Sequence, residues 1–225
     1  MSAPEAVVFD AYGTLLDVNA AMEGHAARLG PRWAALSAEW RAKQLEYTWV
    51  RSLTGAAHHE DFWLCTRDAL DFVMARNGIR DRALAQDLMQ AYRVLPPYPE
   101  VPAMLGALRE RGIGTAILSN GTPGMLADAL AGAGLAGLVD EVLSVEEVGV
   151  YKPDPRVYRL ATRQFGCPPD RLVFVSANAW DAQAAHAFNM QVVRVNRTDA
   201  PDEYGLAAAG VPVLTDLSGL QDLVA

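Results

Sequence analysis

Asp10 ends the apolar run Val7-Val8-Phe9 and is followed by Ala11-Tyr12-Gly13-Thr14. A short apolar run closed by a turn signal reads as a buried strand. The carboxylate therefore stands at a strand end, poorly solvated, with a glycine and a hydroxyl in the turn beyond it. In that position it can be a nucleophile, a metal ligand or an anchor for the turn. Thr14 can hold one of its oxygens by a hydrogen bond, or cap the turn itself. Three other segments place polar residues comparably: Ser119-Asn120 after Ile117-Leu118, Ser176-Ala177-Asn178 after Val173-Phe174-Val175, and Lys152 in a loop ahead of Asp154. A lysine brought beside Asp10 would keep it ionised, because a nearby opposite charge favours the carboxylate.

The elements that must carry these groups alternate. Strands are predicted at 5–9, 112–118, 139–143, 171–175, 191–195 and 211–214, with helical patterns at 101–110, 123–133, 155–165, 179–188 and 219–224. Short apolar strands alternating with helices imply βαβ units and a mainly parallel α/β sheet. The stretch from Asp17 to Tyr98 breaks the rhythm. It has no convincing strand and holds four of the five tryptophans (Trp33, Trp40, Trp49 and Trp63), with long helices predicted over 37–53 and 60–77. Pro96-Pro97-Tyr98-Pro99 returns the chain as a stiff linker. The expectation is a core domain of residues 1–16 and 99–225 and an all-helical domain, 17–98, inserted after the first strand. The insert would lie over the carboxyl ends of the strands, where α/β sites form.

The 225 residues are 51% apolar and 20% charged, enough to bury a core. The net charge of −8 and the lack of a basic stripe argue against a nucleic-acid partner. They do not exclude a small anion, since one placed cation outweighs a diffuse field. Cys65 and Cys167 read as free thiols. His25, His58, His59 and His186 form no metal pattern. Asn196-Arg197-Thr198 fits a glycosylation pattern, which has meaning only in an exported chain. Met1-Ser2-Ala3-Pro4-Glu5 lacks the basic-then-apolar order of an export leader, and no apolar run is long enough to span a bilayer. A cytoplasmic protein without membrane contact is expected.

Taken together, Asp10 to Thr14, Ser119-Asn120, Lys152-Pro153 and Ser176 to Asp181 resemble the motifs of the haloacid dehalogenase superfamily. The insert narrows the resemblance to the L-2-haloacid dehalogenases, through Glu39-Trp40-Arg41-Ala42-Lys43-Gln44-Leu45-Glu46-Tyr47-Thr48-Trp49. Ser176-Ala177-Asn178-Ala179-Trp180-Asp181 is similar to that subfamily's signature, with Ala177 where a second serine is more usual. The resemblance implies a Rossmann-like core with a helical cap, a homodimer, and a small halogenated carboxylic acid as substrate.

It also implies roles. Asp10 would attack C2 of an L-2-haloalkanoate, giving an ester and free halide, and water would then attack the aspartyl Cγ to release the D-2-hydroxyacid. Thr14, Lys152, Ser176, Asn178 and Asp181 would complete the catalytic group. Arg41, Asn120 and Trp180 would surround the halide. Ser119 and main-chain N–H groups at Ala11 and Tyr12 would hold the substrate carboxylate. Tyr12, Leu45, Phe62 and Trp180 would meet the C2 substituent, and Tyr158 would reach Lys152 or the carboxylate.

Residue chemistry agrees with this reading. A phosphatase of the superfamily needs an acid two residues after the nucleophile to protonate its leaving group. Tyr12 stands there, with an unperturbed pKa of about 10. Halide leaves as a stable anion and needs no such acid. Asn178 places an amide where a magnesium site would gain from another carboxylate, so no metal and no cofactor are expected. The rival readings are a magnesium-dependent small-molecule phosphatase and a non-catalytic scaffold of the same fold.

Overall fold

A computed structural model describes residues 4–224 of the chain. Met1, Ser2 and Ala3, on which the leader reading partly rests, lie outside the described residues. Strand β1 (Ala6–Phe9) is followed by five helices: α1 (Ala20–Glu23), α2 (Ala26–Leu29), α3 (Trp33–Leu53), α4 (Phe62–Arg76) and α5 (Arg82–Arg93). The alternating part follows as α6 (Val101–Glu110), β2 (Gly114–Ser119), α7 (Pro123–Gly132), β3 (Glu141–Ser144), α8 (Pro155–Phe165), β4 (Leu172–Ser176), α9 (Ala179–Ala187), β5 (Gln191–Val195), β6 (Val213–Leu214) and α10 (Leu220–Leu223). The sheet runs β3-β2-β1-β4-β5-β6, and every pairing is parallel.

All four residues of β1 are fully buried, as a central parallel strand covered on both faces must be. Phe9 pairs with Ile117 on one side and Val175 on the other, so Asp10 leaves the sheet between the ends of β2 and β4. The strand order reverses direction at β1, the kind of switch point at which open α/β sheets bind ligands. This is the Rossmann-like sheet with a helical cap inserted after the first strand.

The predicted strands exist with shifted ends, most clearly β3, which starts two residues later and whose first two residues are not buried. Helix α3 starts at Trp33, four residues ahead of the predicted Ser37. Pro31, in the short helical turn Gly30–Arg32, fixes the backbone that leads into it. Helix α4 starts at Phe62 because Asp61 accepts a hydrogen bond from the Leu64 amide at 2.8 Å. Helix α5 lay in a stretch to which no helix was assigned. Asp81 caps it, and Leu84, Leu88 and Tyr92 bury one stripe at four-residue spacing.

The chain enters and leaves the cap at one place. Leu16 and Pro97 form an antiparallel bridge, the Asp17 amide donates to the Pro96 carbonyl at 2.9 Å, and the Tyr98 amide donates to that of Leu15 at 3.0 Å. A single apolar cluster runs from the sheet into the cap. Cys65 and Cys167 are free thiols. Among the described residues no helix is long and apolar enough to cross a membrane.

Candidate active site

Four segments meet at the carboxyl end of β1. Asp10 Oδ2 accepts from Thr14 Oγ1 at 2.9 Å and from Asn178 Nδ2 at 2.7 Å, while Oδ1 accepts from Lys152 Nζ at 3.1 Å. Gly13 makes the close turn, with φ of 88°, that folds Thr14 back onto Asp10. The hydroxyl of Thr14 in turn accepts from the Ala177 amide at 2.8 Å. That bond needs only the main chain, so the alanine in place of the usual serine leaves the connection from β4 to Asp10 intact.

Lys152 is 1% exposed and also bonds Asp181 Oδ2 at 2.8 Å. Its ammonium lies 4.9 Å from the centroid of Phe174. Burial alone would push its pKa down, but the charges of Asp10 and Asp181 outweigh that and hold it above the ordinary lysine value. Asp181 is pushed up, first by burial and further by Asp10, against the opposing pull of Lys152. Its other oxygen accepts from Tyr158 Oη at 2.5 Å, and Ser176 Oγ donates to Oδ2 at 3.3 Å. The site thus holds two carboxylates around one ammonium.

Tyr158 stands behind this group. Its hydroxyl is engaged by Asp181 and its ring packs on Phe174 and Phe188. The expectation places Tyr158 within reach of Lys152 or the carboxylate; its hydroxyl meets Asp181, the carboxylate that also holds Lys152.

The cap supplies the opposite wall. Helix α3 buries Trp40, Gln44, Leu45 and Thr48, and Arg41 lies at the edge of that face. Arg41 Nη1 donates to Gln44 Oε1 at 2.7 Å and Nη2 to the Tyr12 carbonyl at 3.2 Å. Among the described residues no carboxylate pairs with this guanidinium, so its charge is free to meet an anion. Gln44 had no assigned role. Its amide also donates to Thr66 Oγ1 at 2.6 Å and so ties Arg41 to α4. Its three-residue spacing from Arg41 was the signal that could have found it.

The smaller contacts fall as follows. Asn120 Oδ1 accepts from the Lys152 amide at 3.1 Å, leaving its Nδ2 as a donor. Ser119 Oγ accepts from the Gly121 amide at 3.1 Å and keeps its own hydrogen for another partner. Tyr12 packs on Phe62 and Tyr92, with ring centroids 5.6 and 5.5 Å away, and its buried hydroxyl has no partner among the described residues. Burial raises the Tyr12 pKa well above that of a free phenol. Ala11 and Leu45 are buried beside this group in sequence and on α3. Trp180, on α9, meets Trp49 of α3 edge to face at 5.6 Å, a contact made across the seam between core and cap.

Among the described residues no three His, Cys, Asp or Glu side chains cluster to hold a metal. Between the two carboxylates that could have served, the ammonium of Lys152 already stands. Asp10, Lys152 and Asp181 are nearly sealed from solvent. A cleft of about 300 Å³ on the surface is lined by Trp49, Leu53 and the two chain neighbours of Lys152, Tyr151 and Pro153.

The chain matches the haloacid dehalogenase-like hydrolase family over residues 4–189. It is 46% identical over 219 residues to (S)-2-haloacid dehalogenase 1 of Pseudomonas sp. (strain CBS-3), covering 97% of this chain and 94% of that one. A crystal structure of a dehalogenase superposes with a TM-score of 0.95 at 41% identity, covering 100% of this chain and 99% of the other. The L-2-haloacid dehalogenase from Xanthobacter autotrophicus with chloropropionic acid covalently bound superposes with a TM-score of 0.85 at 35% identity, covering 98% of each chain.

Proposed function

Because this chain belongs to the haloacid dehalogenase-like hydrolases, and within them to the (S)-2-haloacid dehalogenases, we propose that Asp10 is the nucleophile of a hydrolytic dehalogenation of short L-2-haloalkanoic acids. The observation that carries this reading is the buried carboxylate of Asp10, hydrogen-bonded by Lys152, with the carboxylate-free guanidinium of Arg41 held on the carbonyl of Tyr12 two residues on.

In the first step an oxygen of Asp10 attacks C2 from the side opposite the halogen. The new C–O bond forms as the C–X bond breaks, and the halide leaves with its electron pair. Oδ1, which carries one hydrogen bond against two on Oδ2, is the freer oxygen. Arg41, the Nδ2 of Asn120 and the indole of Trp180 receive the halide. Ser119 and the main-chain amides at Ala11 and Tyr12 hold the substrate carboxylate. Tyr12, Leu45, Phe62 and Trp180 wall the C2 substituent.

In the second step water attacks Cγ of Asp10 and the acyl–oxygen bond breaks, releasing the D-2-hydroxyacid. C2 is inverted once. One water oxygen enters the carboxylate, one of that water's protons ends on the departing alkoxide oxygen to form the product hydroxyl, and the other must be taken up. Asp181, with its pKa raised by burial, is suited to accept it, aided by the alignment from Lys152 and Asn178. No group protonates the leaving halide in the first step, which accords with a Tyr12 phenol held far from titration.

The test is halide release from each enantiomer of 2-chloropropionate by EDTA-treated protein. Release from the L form alone is the expected result. Silence with both enantiomers, together with magnesium-dependent hydrolysis of phosphate esters, would favour the phosphatase reading instead. A single turnover in ¹⁸O-water should place label in Asp10 and none in the first product released.

Arg41→Lys is expected to lower kcat/KM on the order of 10²-fold, because a point cation cannot bond Gln44, Tyr12 and an anion together. Steady-state kinetics that match the parent would remove Arg41 from the halide site. The same family resemblance supports a cytoplasmic homodimer, with no nucleic-acid or membrane partner. Sedimentation equilibrium giving the mass of one chain would overturn the dimer.

A further inference from the structure

The cap is joined to the core where Leu16 and Pro97 pair. One side chain grips both strands of that crossing. Arg197, in the loop after β5, donates from Nη2 to the Thr14 carbonyl at 2.8 Å on the outgoing strand. Its guanidinium carbon lies over the ring of Tyr98 on the returning strand, 3.6 Å from the centroid, and the side chain pairs at 2.7 Å with Glu100, at the start of α6. The arginine and Glu100 side chains are 14% and 15% exposed, so this is no loose surface pair. Thr14 is also the residue whose hydroxyl holds Asp10 Oδ2.

We propose that Arg197 is a positioning residue that couples the nucleophile loop to the hinge of the cap. By fixing Thr14 from its carbonyl side it sets where the Thr14 hydroxyl meets Asp10. By clasping Tyr98 and Glu100 it sets the angle at which α3 brings Arg41 over that carboxylate. One guanidinium therefore registers the attacking group in the core against the anion-binding group in the cap. A planar fork with several donors suits this task, because it bonds a carbonyl and a carboxylate while stacking on a ring.

The test compares Arg197→Met and Arg197→Lys with the parent, well below the unfolding temperature of each. The readouts are kcat and KM with L-2-chloropropionate and, without substrate, the near-ultraviolet circular dichroism of the Trp49–Trp180 pair across the seam. Trp49→Phe supplies the reference spectrum for a lost pair. Arg197→Met should lower kcat/KM on the order of 10²-fold, with KM raised and kcat lowered together, because small misplacements of reacting groups cost that much. The tryptophan signal should weaken toward the reference. Arg197→Lys, which keeps the charge beside Glu100 and loses the fork, should fall between.

A folded Arg197→Met protein with parental kcat, KM and tryptophan signal overturns the proposal. So does one whose only change is a lower unfolding temperature. This inference rests on the dehalogenase reading for its choice of substrate alone. Absence of halide release from the parent would fail that reading, while the circular dichroism arm would still decide the hinge.

Discussion

Asp10→Asn is expected to abolish halide release, by ~10⁴-fold or more, while the protein folds and unfolds much as the parent does. The amide oxygen can still accept from Thr14 Oγ1 and Asn178 Nδ2, the two bonds made to Oδ2 in the parent. Lys152 loses Asp10 but keeps Asp181 at 2.8 Å. Two carboxylates around one ammonium become a balanced pair, which offsets the poorer contact between the new amide and Lys152. A neutral amide is a far weaker nucleophile than a carboxylate, so the first step fails even where substrate still binds. Halide release is the decisive measurement, with thermal unfolding beside it. Turnover close to the parent's would remove Asp10 as nucleophile. An inactive variant that also fails to fold would mean that the carboxylate anchors the loop.

That separation of activity from stability reflects what could and could not be read from the sequence. Asp10, Ser119-Asn120 and Ser176 to Asp181 were legible because each sits where an apolar run stops, and a polar residue at a buried strand end has few structural reasons to be there. The parallel sheet was legible for the same reason, since strands buried on both faces are unbroken apolar runs. What the sequence hid was distance. No spacing says that Lys152 reaches Asp10 and Asp181 at once, for these residues are 142 and 29 positions away along the chain. Nor does helical periodicity say that Tyr158 turns toward Asp181. Helix α5 goes unpredicted although Leu84, Leu88 and Tyr92 keep four-residue spacing. It is fixed by the cap at Asp81 and by burial of Leu88 and Tyr92. Gln44 and Arg197 were hidden differently. Each works by joining segments that the fold alone brings together.

Lys152→Met is the substitution expected to cost both turnover and stability, and the stability loss carries a pH signature. The methionine stem can still pack on Phe174, but Asp10 and Asp181 are left buried without a cation. Breaking a buried ion pair from one side costs about 3–5 kcal/mol. Burial already raises the pKa of Asp181 while Lys152 opposes it, so removing the lysine pushes that carboxyl further up. A carboxyl whose folded pKa exceeds its unfolded value, about 3.9 for aspartate, favours the fold while it is protonated. That contribution is complete below the unfolded value and is lost as pH rises through the folded one. The variant's deficit in unfolding temperature should therefore be smallest in mildly acidic buffer and widen toward neutrality. In the parent Lys152 follows the same rule at far higher pH: its raised pKa gives a contribution that is full below the unfolded lysine value and lost only as pH climbs through the folded one, so it stays constant from mildly acidic buffer to neutrality. Unfolding scans of both proteins across that range measure the difference. A deficit that does not change with pH would assign the loss to packing and sink the charge argument. Turnover should not return on acidification, because the proton that stabilises the variant occupies the Asp181 carboxylate that must take up the proton from water.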